Sequence, residues 1–404
     1  MGKKINKTVF VGVSGGVDSS VATALLKDQG FNVVGVFIRT WSPDFIECTW
    51  KDERRDAMRV CAHLDIPFLE CDAEEAYKKG VADYMIEEYK KGNTPNPDVM
   101  CNRMVKFGVF WEFAKERGAD FIATGHYAVN SISPCQGGVP EGRGGQTPPA
   151  RSHLPLAGEE KIQNYLLKSP DTSKDQSYFL WTLTQDDLSH TLFPVGHLEK
   201  TEVRKLAEKY KLPTAVKKDS QGVCFLGPLD MKDFLKHYIE TKRGDVLLAR
   251  REEDKKEKVI GSHDGAIFFT LGERHGFTIF KNEDNSKPLY VVSKDIEKNT
   301  ITVSPRPCLG EEYTSPTGIL HRTVLCSKAN WILEIPEKNK APASPTSQGG
   351  YTAQIRYHGE LLDCKVVCTG LTCEITFNKN VLVDKGQSIV VYDGDICLGG
   401  CIVA

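Results

Sequence analysis

Two cysteines lie in settings that favour a reactive thiol. The first closes Asn96-Pro97-Asp98-Val99-Met100-Cys101-Asn102, where the Asn-Pro pair favours a turn and a helix is expected from about Arg103. That order predicts Asp98 and Cys101 on a loop, with the thiol just ahead of a helix N-terminus that favours thiolate. The carboxylate three residues earlier can take a proton from a reacting group. The second cysteine closes Lys217-Lys218-Asp219-Ser220-Gln221-Gly222-Val223-Cys224-Phe225, whose lysines and Ser-Gln-Gly turn predict an electropositive, partly open setting. On residue type alone each thiol fits a structural role equally well, Cys101 in a core and Cys224 packed against Phe225 and Leu226.

A third cluster of chemistry is Gly12-Val13-Ser14-Gly15-Gly16-Val17-Asp18-Ser19-Ser20, between an apolar run and an amphipathic one. Glycines let a backbone approach phosphate oxygens, and the first amides of the helix add donors and a favourable dipole. Ser14, Ser19 and Ser20 supply hydroxyls, and Asp18 can hold Mg²⁺ or cap the helix. The P-loop pattern GxxxxGK[ST] and GxGxxG are both absent. A capped Gly/Ser turn explains a generic Ser-Gly-Gly stretch, but not the whole heptapeptide Ser14 to Ser20 at the carboxyl end of a first strand, where ligands sit in open α/β sheets.

The elements that must position these groups follow from periodicity. Strands are expected at 9–13, 32–39, 66–69 and 121–124, and helices at 18–27, 51–64 and 74–91, with Gly30 ending the first helix. Strands alternating with helices predict an α/β N-terminal domain with a doubly wound parallel sheet. Residues 131–160 are rich in proline and glycine and poor in apolar side chains, the composition of a mobile insertion. Helices are expected again at 186–192, 201–210 and 229–239. Beyond about Thr241 short β-branched runs alternate with turns, at 289–293, 300–303, 352–357, 361–369, 373–377, 388–392 and 397–403. The expected organisation is a catalytic domain over 1–240, a small β-rich central domain over 241–305, and a C-terminal β-barrel over 306–404, with a second polar loop at 336–350.

Composition bounds the function. The 404 residues are 40% hydrophobic and 26% charged, with no apolar run near the ~20 residues that span a bilayer. The basic start, Met1 to Lys7, leads into a strand and not a signal peptide, so a cytoplasmic address is expected. A net charge of −2 gives no global basic footprint, so any nucleic-acid surface must be a local patch. The 13 cysteines include no CxxC pair, which argues against a zinc or iron–sulfur site and for reduced thiols. Cys364, Cys368 and Cys373 are expected to be buried small hydrophobes.

The heptapeptide resembles the pyrophosphatase loop of enzymes that adenylate a substrate. With Asn96-Pro97-Asp98…Cys101-Asn102, Thr124-Gly125-His126-Tyr127, Lys174-Asp175-Gln176-Ser177-Tyr178-Phe179-Leu180 and Asp219-Ser220-Gln221-Gly222-Val223-Cys224-Phe225, the chain resembles the bacterial tRNA-specific 2-thiouridylases, the MnmA/TrmU family. The resemblance continues through His263-Asp264-Gly265, Thr270-Leu271-Gly272-Glu273-Arg274, Ile355-Arg356-Tyr357, Gly386-Gln387-Ser388 and Cys397-Leu398-Gly399-Gly400, in the family's order over nearly the whole chain apart from the two insertions.

The resemblance implies an adenine nucleotide α-hydrolase-like first domain and a sulfurtransferase. ATP, with Mg²⁺, would adenylate the C2 oxygen of a wobble uridine, and a cysteine persulfide would deliver sulfur, releasing AMP and pyrophosphate. Carried over by motif, Cys224 would bear the persulfide, Cys101 would free the sulfur or resolve a disulfide, and Asp98 would be the acid/base. ATP would be held by Gly12 through Ser19, Ile38 and Gly125; Ile38 departs from the family's frequent Met, a change that a backbone contact to adenine tolerates. Asn96, Pro97 and Asp98 would meet the target base, and His126, Lys174, Asp175, Gln176, Arg356, Tyr357 and Gln387 would touch tRNA. For His126 and Tyr357 the residue types by themselves favour ordinary packing. The implied partners are tRNA and a persulfide donor, a desulfurase or sulfur carrier, with a monomer expected and no resident metal. The competing readings are an amidating or ligating synthetase, which would need no cysteine pair, and a chain that binds tRNA or nucleotide without catalysis.

Overall fold

A computed structural model describes residues 5–45, 50–132, 163–218, 230–251, 258–280, 288–305, 313–314, 321–333 and 351–404. Cys224, with its segment 219–229, lies outside these residues, as do nearly all of the 131–160 insertion and the 336–350 loop.

The N-terminal unit is built on a parallel sheet of β1 (Thr8–Gly12), β2 (Asn32–Arg39), β3 (Phe68–Asp72), β4 (Phe121–Ala123) and an edge strand Thr191–Leu192, in the order β3-β2-β1-β4-edge. Alternation along β1 and β2 feeds two cores. Val9, Val11 and Val33 pack with Ala57, Val60 and Cys61 of α2 (Trp50–His63) on one face. Phe10, Val34 and Val36 pack with Val99, Phe107 and Phe110 on the other. Both faces are covered, as buried parallel strands require, and the expected doubly wound α/β class is borne out.

Three local expectations shift. The third strand begins at Phe68 and not Ile66, because Pro67 has no N–H to give and enters the sheet only through its carbonyl, which accepts from Gly35 N at 2.9 Å. The helix expected to reach Leu192 is short, Gln185–Ser189, and Thr191–Leu192 instead pairs with Ile122 and Ala123. Sheet extension there outweighs a weak local helix preference. The chain 97–115 is helical from Pro97 onward, through Pro97–Cys101, a π-wound stretch Asn102–Val109, and Phe110–Lys115.

The central unit is a five-stranded sheet of Gly244–Leu248, Lys258–His263, Phe277–Ile279, Tyr290–Asp295 and Thr300–Ser304 around Val246, Ile260, Phe269, Val291 and Ile301. The last unit is a six-stranded antiparallel barrel of His321–Trp331, Tyr351–Gln354, Leu361–Thr369, Thr372–Val381, Ser388–Asp393 and Ile396–Val403. Pairing of its first strand with its last, Cys326 opposite Val403, closes it. Two strands flanking the insertion, Ala128–Ile132 and Asn164–Lys168, extend the barrel sheet through Leu166 opposite Cys397, so one core runs from the parallel sheet into the barrel.

The cysteine expectation in the barrel is corrected in part. Cys364 and Cys373 are buried, but Cys368 is exposed and disulfide-bonded to Cys373. They face each other directly across the Leu361–Thr369/Thr372–Val381 hairpin with Cα atoms 4.2 Å apart, a geometry set by the turn.

Candidate active site

Helix α1 (Val17–Asp28) starts at the carboxyl end of β1, between β2 and β4, where the strand order reverses. Gly15 takes φ +73°, and a Cβ there would lie 2.5 Å from Glu53 O, so only glycine fits between the loop and α2. Ser19 Oγ accepts from Ser14 N at 3.2 Å and donates to Gly16 O at 3.2 Å, folding the loop over the first turn. Ser20 Oγ donates to Gly16 O at 2.6 Å and accepts from Thr214 Oγ1 at 2.9 Å, which ties the turn to the chain leading to Lys217. Just beyond β4, Gly125 presses on the same turn: a Cβ would stand 2.7 Å from Ser19 N. Beside Gly12, Ile38 Cδ1 and Phe110 Cε1 would each lie 3.6 Å from an added Cβ, an apolar wall on the β2 side.

Asp18 neither caps the helix nor stands open to a metal. Gly16 is the N-cap without a side-chain bond, and the Asp18 carboxylate receives Lys200 Nζ at 2.7 and 2.8 Å and Tyr127 OH at 2.7 Å. Among the described residues no group of His, Cys, Asp and Glu is arranged to hold a resident ion. Lys217 is likewise not a bare charge, since its Nζ pairs with Asp56 Oδ2 at 2.8 Å.

Asp98 and Cys101 occupy one helical turn and not a loop. Asn96 is the N-cap, its Oδ1 accepting from Asp98 N at 3.1 Å and Val99 N at 3.2 Å, and Pro97 fits the first helical position, where its missing N–H costs nothing. The Asn-Pro turn signal was a helix start. Burial pushes the Asp98 carboxyl up from its ordinary value, opposed by the Lys106 ammonium about two turns further on. Cys101 is buried, 3% exposed, among Tyr77, Val81, Val105 and the partly buried Ile38 and Met100. Ile38 thus touches both the nucleotide-loop wall and the cysteine's core. Away from the site, burial pushes four thiols up, Cys61 and Cys71 to about 11 and Cys364 and Cys397 to about 12.

The residues expected at RNA divide. His126 is buried, hydrogen-bonded through Nδ1 to Thr124 Oγ1 at 2.7 Å, and desolvation followed by Lys106 drives its pKa well down, so its imidazole is neutral. Asp175 accepts from Ser169 N, Ser177 N and Ser177 Oγ at 2.9–3.2 Å, and Gln176 Oε1 accepts from Tyr127 N at 2.9 Å. Both shape their own loop. Arg356 donates to Leu382 O at 3.2 Å and lies against Gly272 of the central unit. Tyr357 stacks on His358, with ring centroids 3.9 Å apart, and packs tilted against Phe179 at 4.3 Å, and burial raises its phenol to about 12. A cavity of about 360 Å³ opens between the 168–175 loop and the barrel, lined by Lys168, Ser173, Asp175, Gln354 and His358.

Lys106, Lys200 and Tyr127 escaped the sequence reading. Lys200 sits in an ordinary amphipathic helix that only folding brings to Asp18, and Lys106 faces Asp98 through the unexpected continuation of its helix into the π-wound stretch. Tyr127 lay within a quoted block, but nothing in one dimension pairs it with a residue 109 positions away.

Three family models match the chain in order. A tRNA methyl transferase HUP domain covers residues 7–228, a tRNA methyl transferase PRC-barrel domain 232–305, and an aminomethyltransferase beta-barrel domain 321–403. The tRNA-specific 2-thiouridylase MnmA of Stenotrophomonas maltophilia (strain R551-3) is 41% identical over 98% of this chain and 93% of its own length. The protein of the same name in Lacticaseibacillus paracasei is 38% identical over 98% and 93%. That of Bacillus subtilis (strain 168) is 38% identical over 97% and 93%.

Proposed function

The chain belongs to the tRNA-specific 2-thiouridylase family, and from that premise we propose that it replaces the C2 oxygen of a tRNA wobble uridine with sulfur while cleaving ATP to AMP and pyrophosphate. The observation that carries the reading is the packing of Ile38 against both the nucleotide-loop wall and the core of Cys101, which sets an ATP loop beside a thiol and a carboxyl on one capped turn. The family models bear a methyl transferase label, but the full-length relatives are thiolases, and a pyrophosphatase-type loop serves adenylation.

In this reading the α-phosphate of ATP, brought in as its Mg²⁺ complex, lies over Gly12 to Ser19 with Ile38 and Gly125 flanking it. Asp98, whose carboxyl holds its proton more tightly than an ordinary aspartate, takes the N3 proton as O2 attacks the α-phosphorus and pyrophosphate leaves. The terminal sulfur of a Cys224 persulfide then bonds to C2 and AMP departs. Cys101 thiolate attacks the Cys224 sulfur, the S–S bond breaks, and 2-thiouridine leaves with a Cys101–Cys224 disulfide behind, which an external thiol must reduce. If Cys101 instead frees the sulfide first, the products are the same. In this reading Lys174, Arg356, Tyr357 and Gln387 contact the tRNA whose base meets Asn96, Pro97 and Asp98, with His126, Asp175 and Gln176 shaping that contact. A cytoplasmic place, a monomeric state and a persulfide-carrying protein donor complete the proposal.

The test is ATP-dependent sulfur transfer from a persulfide donor to tRNA, comparing wild type with Cys101→Ala and Cys224→Ala. Formation of 2-thiouridine only with both cysteines supports the reading. A fully active double variant removes the two-cysteine mechanism, and a wild type that binds ATP and tRNA yet forms none reopens the synthetase alternative.

A further inference from the structure

Two residues before the Asn96 cap, the three units of the chain meet on one carboxylate. Asp384 of the barrel accepts from Thr94 Oγ1 of the N-terminal unit at 2.8 Å and pairs with Lys294 Nζ of the central unit at 2.7 Å, both through Oδ2. Leu271 N of the central unit adds a long bond to the same oxygen at 3.4 Å, and Lys294 Nζ also reaches Phe269 O at 3.1 Å and Thr94 Oγ1 at 3.3 Å. The Lys294 and Asp384 side chains are only 7% and 5% exposed. Around them the backbones interlock. Thr94 N donates to Lys385 O at 2.6 Å, and Gly386, at φ +86°, abuts Asn93 and Thr94 so closely that a Cβ would stand 3.1 Å from each.

The same barrel turn reaches the RNA-facing candidates and returns to the capped helix. Gln387 Oε1 accepts from Asp384 N at 3.1 Å. Tyr178, which hydrogen-bonds the Asn96 side chain, donates its hydroxyl to Ser388 O at 2.9 Å. The chain on both sides of the 384–388 turn is therefore fastened to the segment that begins with Asn96. A buried ion pair is a poor way to gain stability, because an apolar set of equal volume commonly holds as well. What it gives is direction: a carboxylate with three partners from two other units fits one register, while an apolar contact tolerates sliding.

We propose that Thr94, Asp384 and Lys294 are positioning residues for sulfur transfer. They hold the Asn96–Pro97–Asp98 segment in register with the barrel residues Arg356, Tyr357 and Gln387, so that RNA held by the barrel presents its target base to Asp98. This rests on the reading of those residues as facing base and RNA.

The experiment uses the full-length protein, an unmodified tRNA transcript with a wobble uridine, ATP and a persulfide donor. Thr94→Val keeps the shape of the side chain and the Lys294–Asp384 pair while removing the hydroxyl link; Thr94→Ser restores the hydroxyl. The readouts are the single-turnover thiolation rate at saturating tRNA, the separate affinities for tRNA and ATP, and the thermal midpoint. The expected result is a rate at least about tenfold lower in Thr94→Val, with ATP affinity unchanged, and a rate within about twofold of wild type in Thr94→Ser. A wild-type rate in Thr94→Val overturns the proposal. So does a loss that Thr94→Ser does not repair, or one that ATP affinity follows in proportion. Should Thr94→Val not fold, Asp384→Asn, which keeps the size and one acceptor, carries the same comparison. A wild type that thiolates no tRNA removes the underlying reading instead, which separates the two failures.

Discussion

Replacing Gly125 by alanine isolates the closeness of the segment after β4 to the nucleotide loop. Gly125 is not among the positive-φ glycines, so alanine meets no backbone penalty there, and the whole effect is steric. The added methyl would stand 2.7 Å from Ser19 N and 2.9 Å from Asp18 C, against an ordinary contact of 3.4 Å or more. Both are backbone atoms of the first turn of α1, so no flexible side chain can yield. The turn is also pinned from behind, by Thr214 on Ser20 and by Val203 and Ala207 packed against Val17 and Val21. Relief must come from moving the amides that would meet phosphate by several tenths of an ångström. Overpacking of this kind costs about 1–3 kcal/mol, which, taken from nucleotide binding, is roughly a 5- to 150-fold weaker Kd. Calorimetric titration with a non-hydrolysable ATP analogue measures it, with Gly118→Ala as the comparison. Gly118 has φ +81° but nothing within 4 Å of its Cβ position, so alanine there strains the fold without touching the loop. A Gly125→Ala protein that binds the analogue as tightly as wild type, while folded, refutes the assignment of this crevice to ATP.

Three further outcomes follow from the charges. Because burial raises the Asp98 carboxyl, the acidic limb of the thiolation rate should lie at higher pH than an ordinary carboxylate near ~3.9, and Asp98→Asn should abolish that limb while lowering kcat by roughly 10²- to 10⁴-fold. The same raised pKa means that the stability Asp98 contributes is present below its unfolded value and lost as pH rises through its folded value. Asp98→Asn should therefore match or exceed the wild-type thermal midpoint at pH 8, and a lower midpoint contradicts the burial argument. Lys200→Met leaves the Asp18 carboxylate without its cation, and with side chains 15% and 30% exposed the loss should be about 1–3 kcal/mol, between surface and buried pairs. ATP affinity should fall with it, and Asp18→Asn in the same protein should recover part of both; binding unmoved by either change separates Asp18 from the nucleotide.

Much of this was determined by the sequence alone, because the signals were local. The apolar period of 9–13 and 32–39, the Ser-Gly-Gly-Val-Asp-Ser-Ser loop and the β-branched runs after Thr241 each specify conformation within a few residues, and the α/β class with a terminal barrel followed. Asp98 and Cys101 were legible as chemistry, but their helix was not. Asn-Pro is compatible with a turn and with an N-cap followed by N1, and only the packing of Val99 against the sheet and of Cys101 and Val105 against the neighbouring helical run decides between them. The partners of charges lay further out of reach. Asp18 with Lys200, Asp56 with Lys217, and Asp384 with Thr94 and Lys294 are separated by 182, 161, 290 and 90 positions, and nothing in a one-dimensional pattern selects among the chain's 52 cations. The first two pairings form as the N-terminal unit folds on itself, and the last arises where the three units meet, since desolvation at that junction makes the buried Asp384 and Lys294 charges find each other.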